Sequence, residues 1–315
     1  MDVIAGRLTG GTVHDRPGAF GEVIPDTSTA TGQIALDLPR RGGDTDFEAP
    51  DVGLAGIEID GHGQVIVVGG GCHGPYRRTT LTVMAETIDI TSTASPLQGL
   101  LGVPDSGSGP GVIVIQEWWG LVPHIESVVD RFAAAGFVAL APDPYRGERA
   151  TEPDEAGKLM MGLKVAAAAG DIAAAADHLV RSGLLPIDKV GVVGFCMGGG
   201  LALLAPTVSP HIDCASAFYP AMPWPDYHPD WANYAGREAL IHQAEADIPS
   251  TGERIAEYAA AIGEHGGTVT IVDYPGSDHA FFNNDRPEVY DATAAGMAWD
   301  RTVEMFHRRL SGPFA

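Results

Sequence analysis

The stretch Gly194–Gly200, GFCMGGG, joins two apolar segments near the middle of the chain. The run VGVV before it predicts a strand, and the run LALLA after it predicts a helix. Between a strand and a helix, the pattern Gly-x-nucleophile-x-Gly is typical of a sharp, strained turn. The central side chain, here Cys196, then projects above the carboxyl edge of the sheet, and the N–H of Met197 can stabilise an oxyanion. The alternative is a buried structural cysteine in a tight turn.

Strand-like and helix-like segments alternate around this turn from about Met84 onward. The expected strands are ETIDIT and LQGLLGV as an opening pair, then VIVIQEW, FVALAP, KVGVVGF, IDCASAFYP, EALIH and TVTIVDYP. The first helix is predicted by apolar residues at i, i+3, i+4 and i+7, namely Ile125, Val128, Val129 and Phe132. A second helix is expected to begin at Asp171 as its N-cap and to end at Gly183. This alternation predicts the α/β class, with a mostly parallel sheet covered by helices on both faces.

The first 83 residues have a different character. They are rich in Gly, Pro, Asp and Thr, and only 57–71 resembles two short strands around a turn. Gly69, Gly71 and Gly74 match the dinucleotide pattern G-x-G-x-x-G, but Pro75 and TTLTV follow where that site needs the start of a helix, so no cofactor site is expected. We therefore expect a poorly structured extension over 1–83 and one folded domain over 84–315. The extension is either disordered or the product of a mis-chosen start, and both interpretations stay open.

Composition limits the class of partner. The formal net charge of −22 at pH 7 disfavours nucleic acid and anionic membrane surfaces, and no run approaches the ~20 apolar residues of a membrane span. The start of the chain does not resemble a secretory signal, and three widely spaced cysteines form neither a disulfide framework nor a zinc pattern. A reducing cytoplasm is therefore the expected setting, and the protein is expected to be a monomer or small homo-oligomer.

Candidate helpers for the cysteine follow two later strands. The strand EALIH leads to Glu245 and Asp247, and the strand TVTIVDYP leads to Asp278 and His279. The order nucleophile, acid, histidine is the one found in α/β-hydrolases, where His279 would take the thiol proton and the acid would orient the imidazole. Asp247 is preferred to Glu245 because Pro249 indicates that the turn begins there, but Glu245 stays an alternative. Asp278 is expected to point into solvent.

A third group is the segment QEWWGL, residues 116–121. Glu117 ends a continuous apolar strand, which would bring its carboxylate to the same sheet edge as the elbow. The N–H of Trp118 is then placed to be the second oxyanion donor. The alternative is a charged strand terminus in water, but the neighbouring tryptophans favour a pocket.

With these residues in hand, the chain from about 84 to 310 resembles the dienelactone hydrolase family of α/β-hydrolases. The motifs that carry the resemblance occur in order: QEWWGL, APDPYRG, GFCMGGG, AEADIP and DYPGSDHAFFN. The resemblance implies the α/β-hydrolase fold and a triad of Cys196, Asp247 and His279. It also implies that Glu117 keeps the resting thiol protonated or shielded until substrate displaces it. Family members hydrolyse esters and cyclic enol-lactones without a metal or organic cofactor.

This chain departs from the family pattern in the residues that bind the substrate carboxylate. The family has an arginine four residues after the histidine, where this chain has Asn283. A second family arginine has its nearest counterpart in Arg146. These differences leave dienelactone itself open as the substrate. The expected pocket residues, for which ordinary core packing is the alternative, are Trp118, Trp119, Tyr145 and Phe281.

The predicted function is hydrolysis of a small ester or lactone through a thioester on Cys196. A glutamine amidotransferase would also carry a G-x-C-x-G elbow, but its H-x-E pair must lie downstream of the cysteine. The H-x-E here, formed by His124 and Glu126, lies upstream. The remaining alternative is a catalytically silent hydrolase fold that acts as a binding or scaffold protein.

Overall fold

The strand that leads into Cys196 lies in the middle of an eight-stranded sheet. The computed structural model describes residues 85–91 and 96–312 in full and, before them, the backbone of five strands. These are β1 (Ile4–Gly6), β2 (Ile34–Leu36), β3 (Gly53–Ile59), β4 (Val65–Gly70) and β5 (Arg77–Leu81).

The five early strands belong to one compact unit and the later elements to another. In the early unit β1 pairs antiparallel with β2, and β3, β4 and β5 form an antiparallel sheet. Strand β4 lies within 57–71, where two short strands are predicted, whereas β3 begins at Gly53 and only its end falls in that range. The strand β5, and not a helix, follows the Gly69 region, as the argument against a dinucleotide site requires. The strands β1, β2 and β5 were not predicted, and the other residues of 1–83 lie outside the described part of the chain.

The later unit contains the large sheet and its helices. Its strands are β6 (Glu86–Ile90), β7 (Leu97–Gly102), β8 (Gly111–Ile115), β9 (Val138–Pro142), β10 (Val190–Phe195), β11 (Ile212–Phe218), β12 (Glu238–Ala244) and β13 (Thr268–Tyr274). Its α-helices are α1 (Pro123–Ala134), α2 (Pro153–Gly162), α3 (Val165–Arg181), α4 (Met197–Leu204), α5 (Ile248–Glu264) and α6 (Ala292–Leu310).

The sheet has the strand order β6-β7-β9-β8-β10-β11-β12-β13. Strands β8 to β13 run parallel, and β6 and β7 form the antiparallel opening pair that the sequence predicts. The predicted α/β class is therefore confirmed. Because β9 lies on one side of β8 and β10 on the other, the chain reverses its direction of travel across the sheet at β8. Crevices that bind ligands form at such a switch point, beyond the carboxyl ends of the strands.

The central strands are buried along their whole length because helices cover both faces. Every residue of β8, β9 and β10 is buried, which explains their continuous apolar sequences. The predicted face of α1 is fully buried, and its Phe132 ring lies 4.5 Å from the Trp299 ring of α6. On the other face α3 packs against α4.

The prediction that Asp171 caps a helix is wrong. Helix α3 begins at Val165, six residues earlier, and runs through Gly170 and Asp171. Its alanine-rich sequence has a high helix propensity that outweighs a single glycine. The Asp171 carboxylate instead accepts two hydrogen bonds from Arg146. Helix α2 was not predicted from the sequence.

Candidate active site

The turn at Cys196 has the strained backbone that its glycine-rich sequence predicts. Cys196 has φ 55° and ψ −119°, a conformation that costs a non-glycine residue ~1–3 kcal/mol. Three backbone bonds hold it there. Its N–H donates to the carbonyl of Phe218 at 3.0 Å, and its carbonyl accepts from Ala221 at 2.9 Å and from Gly200 at 3.2 Å. Strand β11 and the segment after it therefore fix the direction of the thiol.

The glycines on each side of Cys196 are required by close backbone approach. A Cβ at Gly194 would overlap the carbonyl oxygen of Gly198. A Cβ at Gly198 would overlap the carbonyl oxygens of Ile115 and Gln116 at the end of β8. The first turn of α4 can pack this tightly against β8 and β10 only without side chains, so the elbow and the Glu117 segment come into contact.

Strained backbone is concentrated around this site. Among the described residues, the non-glycine residues with positive φ are Arg146, Cys196, Tyr219 and Ala280. The first three lie in the segments after β9, β10 and β11, and Ala280 follows His279. Such strain persists only where the surrounding structure enforces it, and it clusters at functional sites.

His279 and Asp247 meet at the same sheet edge. The Nδ1 atom of His279 lies 2.8 Å from Oδ2 of Asp247, which stands in a short 3-10 helix directly after β12. The His279 side chain is partly exposed, whereas that of Asp247 is 13% exposed. Glu245, the alternative acid, accepts a hydrogen bond from the N–H of Gly276 at 2.7 Å instead. Asp278 is exposed, as expected.

The thiol of Cys196 lies close enough to the imidazole of His279 to act on its pKa. Because Nδ1 faces Asp247, Nε2 is the atom left for the thiol. Burial, the largest single influence, lowers the pKa of His279. The hydrogen bond to Asp247, the proximity of Cys196 and the negative charges of both groups outweigh it, and together they raise the pKa to about 10. The ring therefore holds a proton readily at neutral pH.

Glu117 is buried beside these residues, with 2% of its surface exposed. Its Oε1 accepts a hydrogen bond from the Tyr219 hydroxyl at 3.2 Å, and its Oε2 accepts one from Nδ2 of Asn283 at 2.9 Å. Asn283, at the position of the family arginine, thus holds the carboxylate with a neutral amide. Glu117 is not the solvated strand terminus considered as the alternative.

Tyr219 is a site residue that sequence reasoning missed. Its ring lies edge-on to His279 with the ring centroids 5.0 Å apart, and its hydroxyl reaches Glu117. Burial raises the pKa of Tyr219 well above its usual value, and the charges of Glu117 and Cys196 raise it further, so the hydroxyl stays protonated and donates. One signal could have revealed it: Tyr219 directly follows β11, next to the nucleophile strand.

His124 forms a neutral boundary behind Glu117. The residue is almost fully buried, and Nδ1 lies 3.3 Å from Oδ1 of Asn284. Burial lowers the pKa of His124, although the charge of Glu117 opposes this effect. The imidazole is thus neutral at neutral pH and cannot neutralise the Glu117 carboxylate.

The predicted pocket residues fall into two groups. Trp118 and Trp119 are partly exposed with ring centroids 5.1 Å apart, and the Tyr145 hydroxyl lies 3.3 Å from Sδ of Met197 in the elbow. Phe281 has no exposed surface and packs on Tyr274 at 4.8 Å, so its ring belongs to the aromatic core behind the site.

Arg146 is engaged by an acidic partner. Its guanidinium donates two hydrogen bonds of 2.8 Å to the Asp171 carboxylate of α3, and a third of 2.9 Å to the Asp143 carbonyl. The hydrogen bond to Asp171 raises the pKa of Arg146, although partial burial opposes this effect.

Across 85–91 and 96–312, no group of three or more His, Cys, Asp or Glu side chains is arranged to hold a metal ion. In the same part of the chain no single helix has the length and apolarity to cross a membrane. The pair α2 and α3, bent by 84°, passes that test on length and composition.

The model of the dienelactone hydrolase family matches residues 97–310, which includes every site residue described above. This chain belongs to the dienelactone hydrolase family. It is accordingly a hydrolase of the dienelactone hydrolase type.

This dienelactone hydrolase family member is similar to individual known proteins in sequence and in fold. "Protein usf" of Aquifex pyrophilus is 34% identical over 235 residues, which cover 72% of this chain and 100% of the relative. The "Putative carboxymethylenebutenolidase" of Aquifex aeolicus is 30% identical over 234 residues, covering 72% of this chain and 100% of the relative. The crystal structure of the "Putative Dienelactone Hydrolase" of Klebsiella pneumoniae has the same fold. It superposes with a TM-score of 0.63 at 24% identity, over 71% of this chain and 98% of that one.

Proposed function

We propose that this protein hydrolyses esters or lactones with Cys196 as nucleophile, His279 as general acid–base and Asp247 as the residue that orients the imidazole. The observation that carries the proposal is the hydrogen bond from Asp247 to His279, together with the nearby thiol of Cys196 in its strained turn. A purely structural role needs neither the strain nor this alignment.

The acylation step follows from this geometry. The Cys196 sulfur attacks the carbonyl carbon and its proton resides on Nε2 of His279. The oxyanion that forms is held by the N–H groups of Met197 and Trp118. Met197 is the first residue of α4, so its N–H has no acceptor within the helix. When the carbon–oxygen bond breaks, His279 gives the proton to the leaving oxygen and a thioester remains.

Deacylation reverses these roles. A water molecule gives its proton to His279 as its oxygen attacks the thioester carbonyl, and the sulfur leaves with the proton returned from the imidazole. For a lactone the leaving oxygen stays attached to the acyl chain, so the product is one hydroxy or keto acid. Trp118, Trp119 and Tyr145 are the residues we assign to substrate contact.

Glu117 has a separate role in this scheme. Tyr219 and Asn283 hold its carboxylate by hydrogen bonds. The charges of Glu117 and Cys196 both act on the Tyr219 hydroxyl, so the two groups lie close to each other. We assign it the task of keeping the resting thiol protonated or shielded until substrate enters. A protonated or shielded thiol is less open to side reactions than a free thiolate.

The choice of ester and lactone substrates is supported by chemistry and by a relative. A thiolate leaves a tetrahedral intermediate more readily than an alkoxide does, so cysteine suits substrates whose oxygen leaves as a stable anion. One relative is named as a carboxymethylenebutenolidase, a lactone hydrolase. All the residues assigned here lie within 84–315, which we take as the catalytic domain. We also propose a cytoplasmic location, because a reactive thiol persists in a reducing compartment.

The test is turnover of p-nitrophenyl acetate and of an enol-lactone by wild type and by Cys196→Ala. Hydrolysis of both by the wild type, with loss in the variant of about 10³-fold or more, supports the proposal. Equal rates in the two proteins would contradict it and favour the silent fold.

A further inference from the structure

We infer that the site accepts an uncharged acyl group, so that neutral esters and lactones are its substrates and carboxylate-bearing ones are disfavoured. This inference rests on the proposed function and specifies the substrate class of the same site. It follows from the charges that surround Cys196.

The negative charge of Glu117 is not compensated by a cation among the described residues. The carboxylate is buried, and both of its hydrogen-bond donors, Tyr219 and Asn283, are neutral. Within the described part of the chain, Glu117 forms no ion pair. The neighbouring imidazole of His124 is kept neutral by burial. A carboxylate on the substrate would therefore meet a like charge in a poorly screened pocket.

The arginine that the family resemblance assigns to the substrate is bound to an acidic residue instead. Arg146 is bound in a bidentate pair to Asp171, whose side chain is only 5% exposed. Turning Arg146 towards a substrate would leave that buried carboxylate unpaired, which is strongly unfavourable. Helix α3 thus holds the cation that the resemblance assigned to the substrate.

Two other arginines are also engaged. The guanidinium of Arg131 lies over the Phe282 and Trp299 rings, 4.7 Å and 4.3 Å from their centroids. The charge of Arg286 reaches Tyr219, but Nε of Arg286 donates to Glu288 at 2.9 Å. Because that last pair is exposed and weak, Arg286 is the cation that the experiment must examine.

The overall charge of the protein also disfavours an anionic substrate. With a formal net charge of −22, the protein repels anions during diffusional approach. Local and overall charge act in the same direction. We expect an anionic acyl group to lower kcat/KM by about tenfold or more relative to a neutral one of equal length.

The experiment uses three p-nitrophenyl esters with the same leaving group. The pentanoate and the methyl glutarate are neutral, and the hydrogen glutarate carries a carboxylate at the end of a chain of equal length. At low salt both neutral esters should exceed the glutarate about tenfold in kcat/KM, and about 0.5 M salt should narrow the gap. A glutarate ester that is hydrolysed as fast as the neutral esters would overturn the inference while leaving the thioester mechanism intact. Absence of any acyl-enzyme would instead reject the proposed function.

Variants at Asn283 and Arg286 sharpen the test. Asn283→Arg should raise the ratio of glutarate to pentanoate turnover about tenfold, whereas Asn283→Gln should not. The ratio is measured within one protein, so a reduced folded fraction cancels. Arg286→Gln should change the ratio by less than about twofold. A further tenfold fall in that variant would identify Arg286 as a carboxylate receptor and contradict the inference. If Asn283→Arg does not fold, the wild-type ratio and its salt response decide.

Discussion

The Nδ1 atom of His279 lies 2.8 Å from Oδ2 of Asp247, although 32 positions separate the two residues in the chain. The contact arises because β12 and β13 are adjacent and parallel, so the segments after them meet at one sheet edge. It fixes the imidazole with its other nitrogen free for the thiol of Cys196. Any loss of this contact should affect catalysis more than folding.

Asp247→Asn should lower kcat by about 10²–10⁴-fold, because the amide cannot stabilise the imidazolium and favours the wrong tautomer. Glu245→Gln is the matched control, since Glu245 bonds to Gly276 and not to His279. Steady-state hydrolysis of p-nitrophenyl acetate measures both. A control variant as impaired as Asp247→Asn would show that Glu245 is the acid.

The same contact predicts a pH dependence of stability. The folded protein raises the pKa of His279 from 6.5 to about 10, so the protonated imidazole favours the folded state. The contribution is complete below about pH 6.5 and is lost as pH rises through about 10. The gap in the free energy of unfolding between wild type and Asp247→Asn should therefore narrow from pH 6 to pH 9.5. Urea denaturation at several pH values measures this gap. A gap that widens with pH would refute the assignment.

The elbow glycines predict a steric effect on folding. Gly198→Ala should destabilise the protein by several kcal/mol or prevent folding, because its methyl group would overlap backbone carbonyls of β8. Gly170→Ala in α3 is the control, since nothing lies within 4 Å of its Cβ position. That change should raise stability by about 0.5–1 kcal/mol. Thermal unfolding distinguishes them, and equal melting temperatures would contradict the packing described.

Tyr219 should matter through its hydroxyl. Tyr219→Phe removes one donor from the buried Glu117 carboxylate and should cost about 1–3 kcal/mol of stability. It should also change the pH profile of kcat/KM, because one of the two donors that hold the Glu117 carboxylate beside the catalytic groups is lost. Tyr258→Phe, whose ring packs on Trp231 away from the site, should leave the profile unchanged. An unaltered profile in Tyr219→Phe would reduce the residue to a packing role.

The fold could be predicted because local patterns and connectivity agree. The apolar period of α1 and the glycine-rich turn at Cys196 each restrict local structure, and alternation of strand and helix then selects a parallel sheet. Helix α2 and the start of α3 could not be predicted in the same way. Gly170 lies just before the expected N-cap Asp171, yet α3 continues through Gly170 because its alanines and its packing against β8 and β9 outweigh one glycine.

For the candidate site too, local sequence patterns predict some residues and not others. Residues at strand ends, such as Glu117 and His279, were found because parallel strands bring their carboxyl ends together. Contacts between side chains far apart in sequence were not. Tyr219 reaches Glu117 across 102 positions and Arg146 reaches Asp171 across 25, and no local pattern encodes either contact.

The most direct test of the account is the intact mass of the protein quenched during turnover of p-nitrophenyl acetate. Wild type and Cys214→Ala should each carry one acetyl group, because Cys214 is fully buried and burial raises its pKa. Cys196→Ala should carry none and should release p-nitrophenol no faster than buffer. An acetyl group on Cys196→Ala, or rapid turnover without any adduct in the wild type, would contradict a thioester mechanism at Cys196.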